Sequence, residues 1–186
     1  MLVALYWLRT NNEEMTMIKV NYADLKAAMM CAATNDVRYY LNGVFFDEKG
    51  FIVSTDGHRL FCGSAVVPEG ESKIVAIKGR LPTKFEYCNI DGTSAAFFDS
   101  KDVLIGTIPV EIIDGRFPDW RRFTSFDSAK VEAIGFAGVY LSDACKIAKL
   151  FDRKFDSLKL EFQGVDKGAR VLFKGGAFLV IMPMRL

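Results

Sequence analysis

Residues 38–54 read RYYLNGVFFDEKGFIVS, and this stretch decides the fold class. The runs Arg38 to Phe46 and Phe51 to Ser54 are rich in aromatic and β-branched residues, which favour strands. The segment Asp47 to Gly50 between them is typical of a hairpin turn. The stretch therefore predicts two adjacent antiparallel strands.

A helix is predicted just before this hairpin. Asn21 is a typical N-cap residue because its short side chain can accept a hydrogen bond from a free backbone N–H of the first turn. Apolar residues then follow at helical spacing, at Leu25, Ala28, Met29 and Ala32. The pattern indicates an amphipathic helix of about three turns.

A similar order recurs between Lys73 and Ile113. The pattern there predicts a strand, a short helical stretch broken by Pro82, and then strands around Ala95 to Phe98 and Val103 to Val110. Since each unit joins a helix to antiparallel strands, the class is α+β.

A third unit is predicted near the end of the chain. Ser142 can cap a helix that carries Leu141, Cys145, Ala148 and Phe151 on one side. Alternating apolar residues from Leu158 to Phe162 follow, then a turn at 164–168 and strands at 170–173 and 177–182. Three occurrences at intervals of about 50 to 60 residues predict a fold built from repeated helix-plus-sheet units.

The composition is that of a folded, soluble protein. Among 186 residues, 51% are apolar and 25% charged, which excludes a disordered chain. The 24 Lys and Arg against 23 Asp and Glu leave a formal net charge of +1. Any contact with DNA must therefore come from local segregation of charge rather than from a field of the whole molecule.

The cysteines and the first residues bear on the cellular compartment. Because Cys31, Cys62, Cys88 and Cys145 are widely spaced and form no C-x-x-C, we interpret them as reduced core thiols of a cytoplasmic protein. Disulfides or a metal site are the alternatives. The apolar run at 1–8 is too short to span a bilayer, so no membrane association is predicted. Residues 1–16 are interpreted as an extension, or alternatively as a terminal strand that packs on the fold.

No catalytic constellation is evident. The sequence has one histidine and lacks a Gly-rich phosphate loop and an H-E-x-x-H motif. Asp56 and His58 share a turn, but no nucleophile accompanies them. We therefore predict a protein that is not an enzyme and that needs neither a cofactor nor a metal ion.

Four short stretches carry a family resemblance. They are DVRYYLNG at 36–43, STDGHRL at 54–60, DGRFPDWRR at 114–122 and VIMPMRL at 180–186. Together and in this order they look like signature motifs of the bacterial DNA sliding-clamp family, the beta subunit of DNA polymerase III. The resemblance implies a DNA-clamp fold, in which residues 17–125 correspond to the clamp's middle domain and residues 126–186 to the second half of its C-terminal domain.

The resemblance also implies a groove for short linear peptides of DNA polymerases, the clamp loader and repair proteins. Carried over to this sequence, its walls would be Leu41, Thr55, Gly57, His58, Arg59, Leu60, Pro118, Arg122, Phe123, Val180, Met182, Pro183, Met184 and Arg185. Methionines and leucines make an adaptable apolar trough, and the arginines can donate to peptide carbonyls. Phe123 stands where the family usually has a smaller aliphatic residue. The alternative is a buried terminal strand at 182–186 and a turn histidine at position 58.

Several aromatic and basic residues are candidates for DNA contact. In the family the stretch with Arg38, Tyr39 and Tyr40 lies near single-stranded DNA, and aromatic faces can stack on bases. A basic inner surface is predicted from Lys26, Lys78, Arg80, Lys84, Lys146, Lys149 and Arg153. Half-buried sheet tyrosines and solvated helix faces are the alternatives.

Two functions are compatible with this resemblance. The first is a processivity factor for DNA replication that encircles double-stranded DNA, and the second is a non-encircling decoy or adaptor that competes with a host clamp for the same peptides. Counting helix-plus-sheet halves predicts a homo-oligomer, with a dimer favoured over a tetrameric ring, because an unpaired half would expose a helix face around Cys145 and Ala148.

Overall fold

The computed structural model describes residues 17–154 and 157–184. The predicted extension at 1–16, Arg185 and Leu186 lie outside the described residues. The described part contains two α-helices, α1 (Tyr22–Cys31) and α2 (Gly138–Phe151). Its strands are β1 (Ile18–Asn21), β2 (Val44–Asp47), β3 (Phe51–Thr55), β4 (Arg59–Ser64), β5 (Lys73–Ile77), β6 (Tyr87–Ile90), β7 (Ser94–Phe98), β8 (Leu104–Ile113), β9 (Leu160–Phe162), β10 (Ala169–Leu172) and β11 (Phe178–Ile181).

The strands form one antiparallel sheet in the order β1-β6-β7-β8-β5-β2-β3-β4-β11-β10-β9. The β4–β11 pair, with Leu60 opposite Val180, joins the last strands of the chain to the first hairpin. The α+β class predicted from the sequence is therefore confirmed, and the pairing brings the second and fourth sequence motifs side by side.

The first helix and hairpin agree with the local sequence signals. Asn21 caps α1, since its Oδ1 accepts from the backbone N of Asp24 at 2.9 Å. In return, Asn21 Nδ2 donates to Asp24 Oδ2 at 2.6 Å. The hairpin turn is closed by the backbone N of Gly50, which donates to the carbonyl of Asp47. Both elements were predicted with the correct type.

The predicted strand at 38–46 is wrong over its first half. Tyr39–Leu41 is a short 3₁₀ helix, and the strand begins only at Val44. The cause is the side chain of Asn42, which binds the backbone of Asp36 on the other side of the 3₁₀ helix. Asn42 Oδ1 accepts from the backbone N of Asp36, and Asn42 Nδ2 donates to the carbonyl of Asp36, both at 2.9 Å. These bonds hold the backbone in a compact loop instead of an extended strand.

The helical stretch predicted around Pro82 is also wrong, because residues 78–86 contain no helix. The backbone N of Lys78 donates to the carbonyl of Pro109 on β8, so the chain continues along the sheet. Two side chains of this segment, Leu81 and Phe85, are buried. Of the three helices that the repeat predicts, the described residues therefore contain two.

The second helix is longer than predicted, and the face that it buries differs from the predicted one. It begins at Gly138 after Ala137, so Ser142 lies inside it and is not its cap. Its buried face consists of Ala144, Ile147 and Ala148, whereas Cys145 is exposed. The interpretation of Cys145 as a core thiol, and of Ala148 as part of an uncovered face, is therefore wrong.

The other three cysteines are core thiols, as predicted. Burial raises the pKa of Cys31, Cys62 and Cys88 to about 12, so these thiols stay protonated. Among the described residues, no helix has the length and apolar character needed to cross a bilayer.

The two faces of the sheet carry different apolar clusters. On β3 and β4, Ile52 and Phe61 belong to the main core with both helices, whereas Val53 and Leu60 belong to a second cluster. Successive residues of a strand point to opposite faces, so the second cluster lies on the side away from the helices. It also contains Trp120, and this side of the sheet carries the candidate site.

Candidate functional site

A cavity of about 210 Å³ opens beside the second cluster. Its walls come from the 3₁₀ helix at 39–41, the turn between β3 and β4, the segment 118–123, and the end of β11. It is lined by Arg38, Tyr40, Leu41, Thr55, Gly57, Arg59, Leu60, Pro118, Asp119, Trp120, Arg122, Phe123, Val180 and Met182. We call this cavity the groove.

The turn between β3 and β4 is held by its own side chains. The hydroxyl of Thr55 donates to the carbonyl of Arg59 at 2.6 Å and accepts from the backbone N of Gly57 at 3.0 Å. Gly57 has a φ of +90°, and a Cβ there would lie 2.8 Å from Nη1 of Arg38. The positive φ favours glycine at this position, and the absence of a side chain lets the Arg38 guanidinium lie close to the turn.

The apolar floor of the groove is formed by buried side chains. Leu41 and Val180 are each 2% exposed, and Leu60 is 6% exposed. Trp120 is also buried and packs edge-on against Phe51, with ring centroids 5.2 Å apart. These side chains come from four parts of the chain, so the floor depends on the tertiary fold.

Arg59 lines the groove, but its hydrogen bonds go to the protein itself. Its guanidinium donates to Asp56 Oδ2 at 3.0 Å, to Asp143 Oδ2 at 2.6 Å and to the carbonyl of Met30 at 2.6 Å. Burial raises the pKa of Asp143, but hydrogen bonds from Lys146 and Arg59 outweigh this and hold it below its ordinary value. Arg59 therefore ties the turn to α1 and α2, and these donors are already engaged.

Arg122 differs from Arg59 because its side chain is exposed. The Cζ atom of its guanidinium lies 4.8 Å from the centroid of the Phe123 ring, which is a cation–π contact. Phe123 is half-buried, at the end of the 3₁₀ helix Arg121–Phe123. This pair forms an amphipathic rim on one side of the groove.

The structure brings ten of the fourteen predicted groove residues to this cavity. Three others lie elsewhere. His58 is exposed and stacks on Tyr140, with ring centroids 6.1 Å apart. Pro183 and Met184 line a neighbouring depression of about 600 Å³ that also contains Met182. Met182 thus borders both hollows, and Arg185 lies outside the described residues.

Four residues of the groove were not predicted there: Arg38, Tyr40, Asp119 and Trp120. Arg38 and Tyr40 were proposed instead as DNA contacts. Arg38 makes an ion pair with Asp36 at 2.7 Å, and this contact lowers the pKa of Asp36 to about 2. Asp119 and Trp120 lie inside the DGRFPDWRR motif, so the motif contained the signal.

The remaining DNA-contact candidates fall into separate groups. Tyr39 is exposed, and Lys26 on α1 is half-buried. Exposed basic residues lie on or just after α2, at Lys146, Lys149 and Arg153, and between β5 and β6, at Lys78, Arg80 and Lys84. Lys84 and Arg153 border the same depression of about 560 Å³. Lys78 and Lys146 make ion pairs with Glu111 and Asp143, which partly neutralise these groups.

In sequence the chain is similar to bacterial beta sliding clamps over part of their length, although no protein-family model matches it. It is 32% identical over 120 residues to the beta sliding clamp of Haemophilus influenzae, covering 58% of this chain and 32% of that protein. It is 33% identical over 108 residues to the beta sliding clamp of Escherichia coli K12, covering 53% and 30%. The chain thus spans about a third of the length of these relatives.

Solved structures show the same fold. The DNA polymerase sliding clamp of Pseudomonas aeruginosa superposes with a TM-score of 0.61 at 18% identity, over 92% of this chain and 67% of that one. A beta sliding clamp of Caulobacter crescentus gives a TM-score of 0.62 at 19% identity, over 92% and 65%. The sequence matches and the shared fold together identify the chain as a clamp-like homologue of the bacterial beta sliding clamps.

Proposed function

We propose that this protein is a clamp-like DNA replication factor whose groove binds short linear peptides of DNA polymerases, clamp loaders or repair proteins. The observation that carries the proposal is the convergence of ten predicted residues on one cavity, nine from the four sequence motifs and Phe123 directly after the third. Its role is binding and not catalysis. We further propose residues 17–125 as a clamp domain, residues 126–186 as half of a second one, and a cytoplasmic location.

The shape and chemistry of the groove suit a peptide. At about 210 Å³ it is smaller than the usual pocket for a drug-sized molecule, and it matches one or two apolar side chains of an extended segment. Leu41, Leu60 and Val180 offer a buried apolar floor, while Met182 at the edge can adapt to different side chains. Arg122 and Asp119 supply polar groups at the rim.

The groove lies within a single chain, and this favours a second candidate function. Every lining residue belongs to one molecule, so peptide binding requires no closed ring. A non-encircling adaptor or decoy that competes with a host clamp would therefore need the groove alone. A processivity factor would also need self-association around double-stranded DNA, as a dimer or a tetrameric ring, and basic residues on the inner surface.

The peptide proposal is tested by fluorescence anisotropy with a labelled peptide, a glutamine followed by small and aliphatic or aromatic residues. We expect micromolar affinity, a binding free energy on the order of 8 kcal/mol, because a short flexible peptide loses entropy on binding. Met182→Ala should weaken binding at least about fivefold, roughly 1 kcal/mol. Met184→Ala is the matched control, since Met184 lies outside the groove. Equal affinities of the two variants would contradict the assignment.

The clamp and the adaptor are separated by retention on circular DNA at high salt. A ring should be retained, and linearising the DNA should release it, because topological linkage does not depend on salt. An adaptor should be lost at high salt from both forms of DNA, since only screened attraction between lysines and phosphates would hold it.

A further inference from the structure

Strand β8 has a free backbone edge. Residues 104–109 pair with β7 on one side, and residues 110–113 pair with β5 on the other. No strand among residues 17–154 and 157–184 pairs with the outer edge of residues 104–108. An unpaired edge of this kind is a template for another strand.

The comparable edge of β4 is occupied. The sheet contains two runs of four strands, β1-β6-β7-β8 and β5-β2-β3-β4. One run ends at β8 and the other ends at β4. The outer edge of β4 is covered by β11 through four residue pairs, from Cys62 opposite Phe178 to Arg59 opposite Ile181. Strand β8 ends the other run, and its outer edge has no such cover.

The side chains at this edge are apolar and exposed. Val103, Leu104 and Ile105 are consecutive and are 56%, 53% and 46% exposed. At the next position Gly106 has open space where a Cβ would stand, so the face of the sheet is uncovered there as well. Exposed consecutive apolar residues beside a free edge are typical of a contact surface.

The strands at the two ends of the sheet order have neighbours already. Lys19 of β1 exchanges two backbone hydrogen bonds with Val66, at 2.9 and 2.8 Å. The backbone N of Ala129 donates to the carbonyl of Phe162 on β9 at 2.7 Å. The free edge of β8 in one copy can therefore pair with the same edge in a second copy. Because both copies contribute the same edge, such a pair has twofold symmetry.

Charge supports this antiparallel arrangement. If Gly106 of each copy lies near the twofold axis, the turn at 99–102 of one copy approaches the exposed segment Lys78 to Arg80 of the other, because Lys78 is bonded to Pro109 at the far end of the free edge. The turn carries Asp99 and Asp102 against one lysine. The segment carries Arg80 beside Lys78, which already forms an ion pair with Glu111. Each contact would occur twice.

We propose that two copies of this chain associate through the outer edges of their β8 strands, centred near Gly106. The proposal deepens the self-association put forward above and names its surface. It differs from a dimer in which the C-terminal units complete one another, because the inner face of α2 at Ala144 and Ala148 is already buried in the core. The contact does not involve the groove residues.

Thr107 allows a test that spares the fold. The carbonyl of Pro109 faces the outer edge, where it accepts from Lys78, and backbone groups two residues apart face the same edge. The N–H of Thr107 therefore points outward, away from β7. Thr107→Pro removes this donor and leaves the ladder with β7, whereas Thr107→Val keeps it and is the matched control.

The experiment is light scattering of the full chain over a range of concentrations, with circular dichroism to confirm folding. The wild type and Thr107→Val should approach twice the chain mass of 20.8 kDa as concentration rises. Thr107→Pro and a second variant, Leu104→Lys, should remain at the monomer mass. A wild type that stays monomeric, or a Thr107→Pro dimer as tight as the wild type, would overturn the proposal.

Hydrogen exchange at Thr107 distinguishes a second copy from cover within the chain. Protection of its amide should rise with protein concentration. Protection that is independent of concentration would assign the edge to another segment of the same chain and would also overturn the proposal. Peptide affinity, measured in parallel, should be the same for Thr107→Pro and Thr107→Val. Loss of peptide binding in the wild type would instead count against the proposed function alone.

Discussion

The two faces of strands β3 and β4 are built for different purposes. On the helix side, Phe61 is fully buried and packs near Phe151 and other members of the main core. On the groove side, Leu60 forms part of a floor whose rim stays open at Arg122 and Phe123. One strand thus contributes to a closed core with one residue and to an open cavity with the next.

Substitutions on the two faces should have different effects on stability and on peptide binding. A closed core loses both transfer free energy and packing when a side chain is truncated, whereas an open wall can relax or admit water. Substitutions on the helix side should therefore act mainly on the free energy of unfolding. Substitutions at the rim of the groove should act mainly on peptide affinity.

The largest effect on stability is expected for Phe61→Ala. Because the ring is fully buried, its loss should reduce the free energy of unfolding by about 3–5 kcal/mol. Phe123→Ala is the matched control on the groove side and should cost less, since Phe123 is only half-buried. Urea denaturation followed by circular dichroism measures both. Equal losses would refute the distinction between the two faces.

The next effect concerns two arginines of the groove. Arg59→Met removes the cation between Asp56 and Asp143 and should cost about 3 kcal/mol, because the partly buried Asp56 loses its ion pair and Asp143 retains only the exposed Lys146. Arg122→Met should change the free energy of unfolding by about 0.5 kcal/mol or less, since that side chain is exposed. The same denaturation experiment compares them. If Arg59→Met were as stable as Arg122→Met, the network around Arg59 would have no structural role.

A smaller effect is expected at the start of α1. Asn21→Ala removes the cap of the Asp24 backbone N–H and should cost about 1 kcal/mol. Asn21→Ser, which can accept the same hydrogen bond, should retain most of the stability. A thermal melt of both variants tests this, and identical losses would show that the cap contributes nothing measurable.

The smallest effect on stability is expected from modification of Cys145. A thiol reagent such as 5,5′-dithiobis(2-nitrobenzoate) should label one cysteine of four quickly, because Cys145 is exposed and Cys31, Cys62 and Cys88 are buried. Labelling should leave the melting temperature nearly unchanged. Cys145→Ser should remove the fast phase. Two fast thiols in the native protein would contradict the described core.

The sequence predicted those elements whose signals are local. The Asn21 cap, the turn at 47–50 and the strands after it depend on neighbouring residues, and each was found. The strand at 38–43 failed because Asn42 holds the backbone of Asp36 through its side chain, a competition that strand propensity does not include. The helix near Pro82 failed because Lys78 is bonded to a strand that lies about thirty residues further along the chain.

The groove could be predicted as far as the motifs reached. Ten of its residues were predicted, nine of them within the four short stretches and the tenth, Phe123, directly after the third. Trp120 was missed although it lies within one of them, because its burial depends on Phe51 on another strand. Arg59 was expected to contact a peptide, and only the tertiary structure shows that Asp143 on α2 already engages it.

The most direct test of the account is a methyl NMR titration of peptide into protein labelled at methionine. Met182 borders the groove, Met184 lies in the neighbouring depression, and Met29 belongs to α1 on the other side of the sheet. We expect the Met182 resonance to shift with peptide, the Met184 resonance to shift less, and the Met29 resonance to stay unchanged. A peptide that binds while leaving the Met182 resonance unmoved would contradict peptide binding in the groove.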